Sequence, residues 1–164
     1  MERHVVEVEI FLGIGDYHAT TRATKVSTLL GSCISVTMHH PPRGFGAICH
    51  ASLPAAPTGQ AVDFRYVDYV IPVMIGWFER HKIPRRELVV KLFGGADMYG
   101  RAREPGGLVT VGRKNVVMAR TVLGEEGLDL AASDVGGHRG RKLLFHTATG
   151  EVLVSKNTSR DIGQ

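Results

Sequence analysis

Two cysteines in 164 residues are too few for a disulfide framework. The sequence has no CxxC pair and no HExxH signature, the spacings a zinc site usually shows, and no GxxxxGK[ST] loop to cradle phosphates. No metal or cofactor is therefore expected. No apolar run approaches the roughly 20 residues that cross a bilayer. The start, Met1-Glu2-Arg3-His4, leads into a segment holding Glu7 and Glu9 instead of the apolar core of a signal peptide. The expected location is the cytoplasm. Aromatic residues are scarce, at 7%, and none is interleaved with the basic clusters Arg80-His81-Lys82, Arg85-Arg86 and Arg139 to Lys142. That argues against stacking on single-stranded nucleic acid. The net charge of +4 suits an acidic partner, but solvated loops and helix ends account for it equally well.

Hydrophobic residues at 43% and charged residues at 22% describe a globular chain of one ordinary domain, expected over residues 1–156 with a polar tail at 157–164. Residues 5–12 alternate as a first strand, and 13–22 read as a loop. Val26 to Leu30 and Cys33 to Met38 read as strands, and Phe45 to Leu53 as the return from a turn at Pro41-Pro42-Arg43-Gly44. Asp63 is a candidate cap for a helix reaching His81. Phe64, Val67, Ile71, Met74, Ile75 and Phe78 would form its apolar face, and Pro72 should kink or split it. Leu88 to Phe93 is a strand, and Ala96 to Gly107 a loop. Val111 to Glu125 is a helix capped by Thr110 and ended by Gly127. Three more strands follow, the last two joined at Thr149-Gly150. The sum is an α+β layered sandwich with a mixed, largely antiparallel sheet.

The chemistry concentrates on Cys33 and His50. The midpoint between them falls in the Pro41-Pro42 turn, so a simple hairpin sets them nearly opposite each other. Cβ atoms of directly opposed residues lie about 4.5–5.5 Å apart. A thiol beside an imidazole is the minimum apparatus for nucleophilic catalysis by sulfur. Gly31-Ser32 before the cysteine allows a sharp turn, at which the backbone N–H groups of Ser32 and Cys33 could hold an oxyanion. A buried structural cysteine and an ordinary strand histidine would fit either position taken alone, and spacing does not decide. Cys49, next to His50, should face the other side of its strand. His39, His40, His138 and His146 read as surface or loop residues.

Longer blocks are more specific. Leu30-Gly31-Ser32-Cys33, His50 seventeen residues on, and Leu53-Pro54 resemble the chemoreceptor glutamine deamidases of the CheD family. The resemblance continues in Phe93-Gly94-Gly95-Ala96-Asp97-Met98 and Val111-Gly112-Arg113-Lys114-Asn115-Val116. It extends through Ser133-Asp134-Val135-Gly136-Gly137 with Arg141-Lys142 to Thr149-Gly150-Glu151-Val152-Leu153-Val154. It covers nearly the whole chain in order. It implies an α/β sandwich related to toxin deamidases with papain-like cysteine chemistry. It also implies conversion of chemoreceptor glutamines to glutamate, with Cys33 as nucleophile and His50 as catalytic histidine. The family's third residue is a threonine six positions before the cysteine. That position is Ser27 here, which takes the orienting role, with a one-residue shift to Thr28 left open. The implied partners are the cytoplasmic domains of methyl-accepting chemoreceptors and a CheC-type phosphatase. A non-catalytic binding module of the chemotaxis system, or the same chemistry on receptor methyl esters, is the alternative.

Overall fold

All seven residues of Ile34–His40 are buried, the pattern of a strand covered on both faces. The structure, a computed structural model, describes residues 7–98 and 109–156. The polar tail from 157, and the expected loop beyond Met98 as far as Gly107, lie outside the described residues.

Among the described residues the strands are β1 (Val8–Phe11), β2 (Tyr17–Thr20), β3 (Thr24–Leu30), β4 (Ile34–His40), β5 (Phe45–Cys49), β6 (Val89–Gly94), β7 (Leu130–Val135), β8 (Arg141–His146) and β9 (Val152–Lys156). The helices are α1 (Val67–Arg80) and α2 (Val111–Glu125). The strands form a four-stranded sheet in the order β1-β3-β8-β9 and a five-stranded sheet in the order β2-β5-β4-β6-β7. Pairing is antiparallel except for β1 with β3 and β6 with β7. The α+β sandwich expected from the sequence is present, with the strands divided between two sheets.

Side-chain parity explains the layering. Ile34, Val36 and Met38 of β4 join Ala47, Cys49 and Ala51 in a core closed by Val67, Val70, Ile71, Met74, Ile75 and Phe78 of α1 and by Ala119 and Leu123 of α2. The other face of the five-stranded sheet meets the four-stranded sheet through two smaller clusters. One holds Leu12, Val26, Ile48 and Phe145; the other holds Leu30, Phe93 and Leu143. Each fully buried large apolar side chain contributes roughly 1.5–3 kcal/mol. Most of that burial lies under the helices, and the seam between the sheets is thinner and more polar.

Several local expectations change. Residues 17–20 pair as β2 at the sheet edge, which half-buried Tyr17-His18-Ala19-Thr20 does not advertise by alternation. Asp63 does not cap α1. Its carboxylate accepts from the backbone N–H and the guanidinium of Arg65, and the residue at the helix start is Tyr66. Pro72 does not split the helix, because Pro72 and Asp68, whose carbonyl it leaves without an N–H, both sit on the exposed face. Thr110 does cap α2, accepting from the Arg113 N–H at 3.4 Å. His39 and His40 are buried, not surface residues: His39 Nε2 lies 3.1 Å from the Ala148 carbonyl and His40 Nε2 lies 3.4 Å from Glu87.

Candidate active site

Cys33 lies where the chain leaves the four-stranded sheet at the end of β3 and enters the five-stranded sheet at β4. Its side chain is partly exposed and packs against Leu30, Phe93 and Leu143 in the seam. His50 follows β5 and is 3% exposed. The hairpin register is shifted from the one a two-residue turn would give. The turn occupies residues 41–44, closed by the Gly44 N–H on the His40 carbonyl at 2.9 Å. Extending the pairs Thr37↔Ile48 and Ile34↔Ala51 sets His50 across from Ser35 and Cys33 across from Ser52. Cys33 and His50 are therefore diagonal neighbours on one face, a relation of about 7–8 Å in a regular sheet, instead of directly opposed.

That sheet is not regular here. The Cys49 carbonyl accepts from Ser35 Oγ at 2.6 Å, and the Val36 N–H donates to Cys49 Sγ at 3.4 Å. His50 bonds instead to the loop before β2: its N–H donates to the Asp16 carbonyl at 3.0 Å and its carbonyl accepts from Gly15 at 2.8 Å. Asp16 shapes that loop by accepting the Gly13 N–H at 3.0 Å.

The hydroxyl beside His50 belongs to Thr28. Thr28 Oγ1 is 2.7 Å from His50 Nδ1 and donates to the Leu12 carbonyl at 2.7 Å. Ser27, the residue expected to orient the histidine, is on the wrong face. In β3 the alternate residues Val26, Thr28 and Leu30 point into the seam, so Ser27 and Leu29 point out. The parity was readable in the sequence, because Thr28 shares its face with two large apolar residues.

The contact fixes the imidazole tautomer. Thr28 has one hydroxyl proton and gives it to Leu12, so His50 Nδ1 must carry the hydrogen and donate. Nε2 is left as the basic nitrogen, and it is buried without a partner among the described residues. Burial holds the His50 pKa below the ordinary histidine value, opposed by the Leu12 carbonyl and the Asp16 charge. Burial also raises the Cys33 thiol, opposed by its own backbone N–H. Both directions favour a neutral thiol and a neutral imidazole at rest, not a standing thiolate–imidazolium pair.

The Gly31-Ser32-Cys33 backbone is held from below. The Gly31 carbonyl accepts from Ala96 at 3.0 Å, the Cys33 carbonyl from Gly95 at 2.8 Å, and the Ser32 carbonyl from Asn115 Nδ2 at 3.0 Å. Gly94, at φ 103°, permits the approach: a Cβ there would sit 2.3 Å from the Cys33 carbonyl oxygen. Among the described residues no group of three or more His, Cys, Asp or Glu side chains is placed to hold a metal ion. His138 reaches the Asp97 carbonyl at 3.2 Å, and no hydrogen bond joins it to Cys33 or His50 among the described residues.

A half-exposed cysteine and a buried histidine with a free basic nitrogen face one seam of a two-sheet α+β protein. Those are the residue types and surroundings of a cysteine hydrolase. The chain belongs to the CheD family: the family model described as CheD chemotactic sensory transduction matches residues 52–156. That span starts just after His50. Individual relatives extend the match further. A Geobacter sulfurreducens protein named probable chemoreceptor glutamine deamidase CheD 2 is 50% identical over 155 residues, covering 94% of this chain and 93% of its own. Too little is left uncovered for that alignment to begin after Cys33. A Nitratidesulfovibrio vulgaris protein named probable chemoreceptor glutamine deamidase CheD is 41% identical, covering 88% of this chain and 75% of its own. One of the same name from the archaeon Archaeoglobus fulgidus is 30% identical, covering 89% and 92%.

Proposed function

We propose that this protein is a protein-glutamine deamidase that converts selected glutamine side chains of methyl-accepting chemoreceptors to glutamate, with release of ammonia, in chemotaxis adaptation. The observation that carries the mechanism is the His50 tautomer. With Nδ1–H turned to Thr28, Nε2 faces away as the general base. Nε2 takes the Cys33 proton as the sulfur attacks the glutamine Cδ. The N–H groups of Ser32 and Cys33 hold the oxygen that becomes negative. The tetrahedral centre collapses, Nε2–H gives its proton to the departing nitrogen, and ammonia leaves a thioester on Cys33. Water, deprotonated by Nε2, then attacks the thioester. Glutamate is released and the thiol regains its proton. The net change is one water consumed and one ammonia formed per glutamine. Splitting the hydrolysis into two steps is what the covalent route gains.

The substrate assignment rests on the relatives' names and on the sequence blocks shared with the family. No described helix is long and apolar enough to cross a membrane. A CheC-type phosphatase is the second partner that the family resemblance supports. The decisive experiment incubates a chemoreceptor cytoplasmic segment with the protein, followed by peptide mass mapping and ammonia counting. The expected result is replacement of NH2 by OH at a few glutamines, with one ammonia for each. A parallel segment carrying glutamate methyl esters separates the amidase from an esterase. Methanol release without ammonia would transfer the chemistry to esters, and neither product would leave a binding module.

A further inference from the structure

Asn115 is an uncommon residue for its place. The buried stripe of α2 runs Gly112, Asn115, Val116, Ala119, Val122 and Leu123, so an amide occupies a position on an apolar face. It is fully buried. Nδ2 donates twice, to the Ser32 carbonyl at 3.0 Å and to the Ser52 carbonyl at 3.1 Å. Two acceptors demand the NH2 end, so the orientation of the amide is settled by its partners. Oδ1 has no partner among the described residues. An apolar residue here would remove the unanswered oxygen but leave the Ser32 and Ser52 carbonyls without their donor.

The two acceptors matter. Ser32 immediately precedes Cys33, and Ser52 follows His50 by two residues. One side chain thus ties the loop of Cys33 to the segment that follows His50. In a trans peptide the C=O and the following N–H point in opposite directions, and no cis bond is present among the described residues. Drawing the Ser32 carbonyl toward α2 therefore turns the Cys33 N–H away from the helix layer, toward the seam between the sheets. The neighbouring peptide repeats this with a backbone partner: the Gly31 carbonyl is drawn to Ala96, which turns the Ser32 N–H outward. Neither N–H donates to another described residue. Of the three carbonyls held from below, only that of Ser32 depends on a side chain.

We propose that Asn115 is a positioning residue for the oxyanion site, fixing the Ser32–Cys33 peptide so that the Cys33 N–H meets the reacting carbonyl oxygen. The inference rests on the deamidase reading above and adds a residue to it. Asn115 touches no substrate atom and acts through the peptide it grips. Transition-state charge is stabilised only by donors already aimed, so a loosened peptide loses rate more than binding.

Alkylation of Cys33 by iodoacetamide requires the thiolate and its surroundings but no oxyanion donor, whereas deamidation requires both. Asn115→Ala should lower kcat on the order of 100-fold, with KM changed by no more than about threefold and the pH profile of Cys33 alkylation unchanged. A parallel fall in kcat and alkylation would overturn the proposal, since Asn115 would then hold the whole site, as would a kcat close to that of wild type. Should Asn115→Ala fail to fold, Asn115→Asp keeps the shape. Its carboxyl offers one donor when protonated and none when ionised, so its kcat relative to wild type should rise as pH falls. A flat ratio would contradict the proposal. A wild type that deamidates nothing removes the deamidase reading and this inference with it. An active wild type matched by Asn115→Ala removes the inference alone.

Discussion

Cys33, one residue before β4, and Cys49, the last residue of β5, belong to one hairpin, yet their surroundings could hardly differ more. Cys49 is completely buried against the helices, its sulfur accepts the Val36 N–H, and its thiol is pushed up to about 12 by burial. Cys33 sits just before β4, partly exposed in the thinner seam, on a backbone whose three carbonyls are each held. The same residue type is a packing element in one place and an accessible sulfur in the other. The difference comes from position relative to the layers. The helix-side core closes completely over Cys49, whereas the junction between the sheets leaves Cys33 partly exposed. Burial raises both thiols, so under the proposed mechanism it is access and the His50 imidazole, not a lowered thiol pKa, that would single out Cys33.

The largest test of that contrast exchanges the two roles by mutation. Cys33→Ala should reduce deamidation by about 10,000-fold or more while thermal stability stays near that of wild type. Cys49→Ala should do the reverse. Its turnover should stay within a few-fold, while stability falls by about 1–3 kcal/mol, because the Val36 N–H loses its acceptor. Activity assays paired with thermal melts measure both. Turnover that survives Cys33→Ala, or vanishes with a fully folded Cys49→Ala, would break the comparison and shift the nucleophile.

A smaller effect separates the two faces of β3. Thr28→Ala should lower kcat on the order of 10- to 100-fold, because the imidazole loses the partner that fixes its tautomer. Thr28→Ser should recover most of it. Ser27→Ala, on the outward face, should stay within about twofold. If Ser27→Ala proves the more damaging of the two alanine variants, the side chains in solution face the opposite way from the structure.

These contrasts show how far the sequence could be read. Elements with strong local signals were legible: α2 with Thr110 at its cap, the Thr149-Gly150 turn, and the long apolar face of α1. Cys33 and His50 stood out through motif blocks, and the faces they share follow from strand parity. What escaped was set by tertiary contacts. The division into two sheets depends on a chain crossing at Gly31-Ser32-Cys33 that local patterning does not encode. The hairpin register depended on whether two or four residues make the turn. Counting six residues back from Cys33 along the family motif lands on Ser27, whereas alternation with Val26 and Leu30 favours Thr28. Asn115 could be seen only as part of a matching block, and its use needs the Ser32 and Ser52 carbonyls that the fold brings to it.

The smallest expected effect concerns charge near the base. Burial lowers the His50 pKa, so the neutral imidazole persists to lower pH than in a free histidine, and the Asp16 charge partly opposes the shift. A lowered folded-state value means that the unfolded chain binds the proton more readily. The associated stability is present above the ordinary value of about 6.5 and is lost as pH falls through the folded value. The same sign governs activity: the acid limb of kcat/KM for the wild type should fall below pH ~6.5. Asp16→Asn preserves an acceptor for the Gly13 N–H and removes the charge, so the limb should move lower still. Because Asp16 is exposed, the gain in rate within that limb should be no more than about twofold. Asp16→Ala should behave differently, since it releases the loop that holds the His50 backbone and lowers kcat at every pH. A wild-type limb above 6.5 would mean that the imidazole is held charged, returning the site to a standing ion pair. A limb moved upward by Asp16→Asn would give that carboxylate the opposite sign of influence from the one its position dictates.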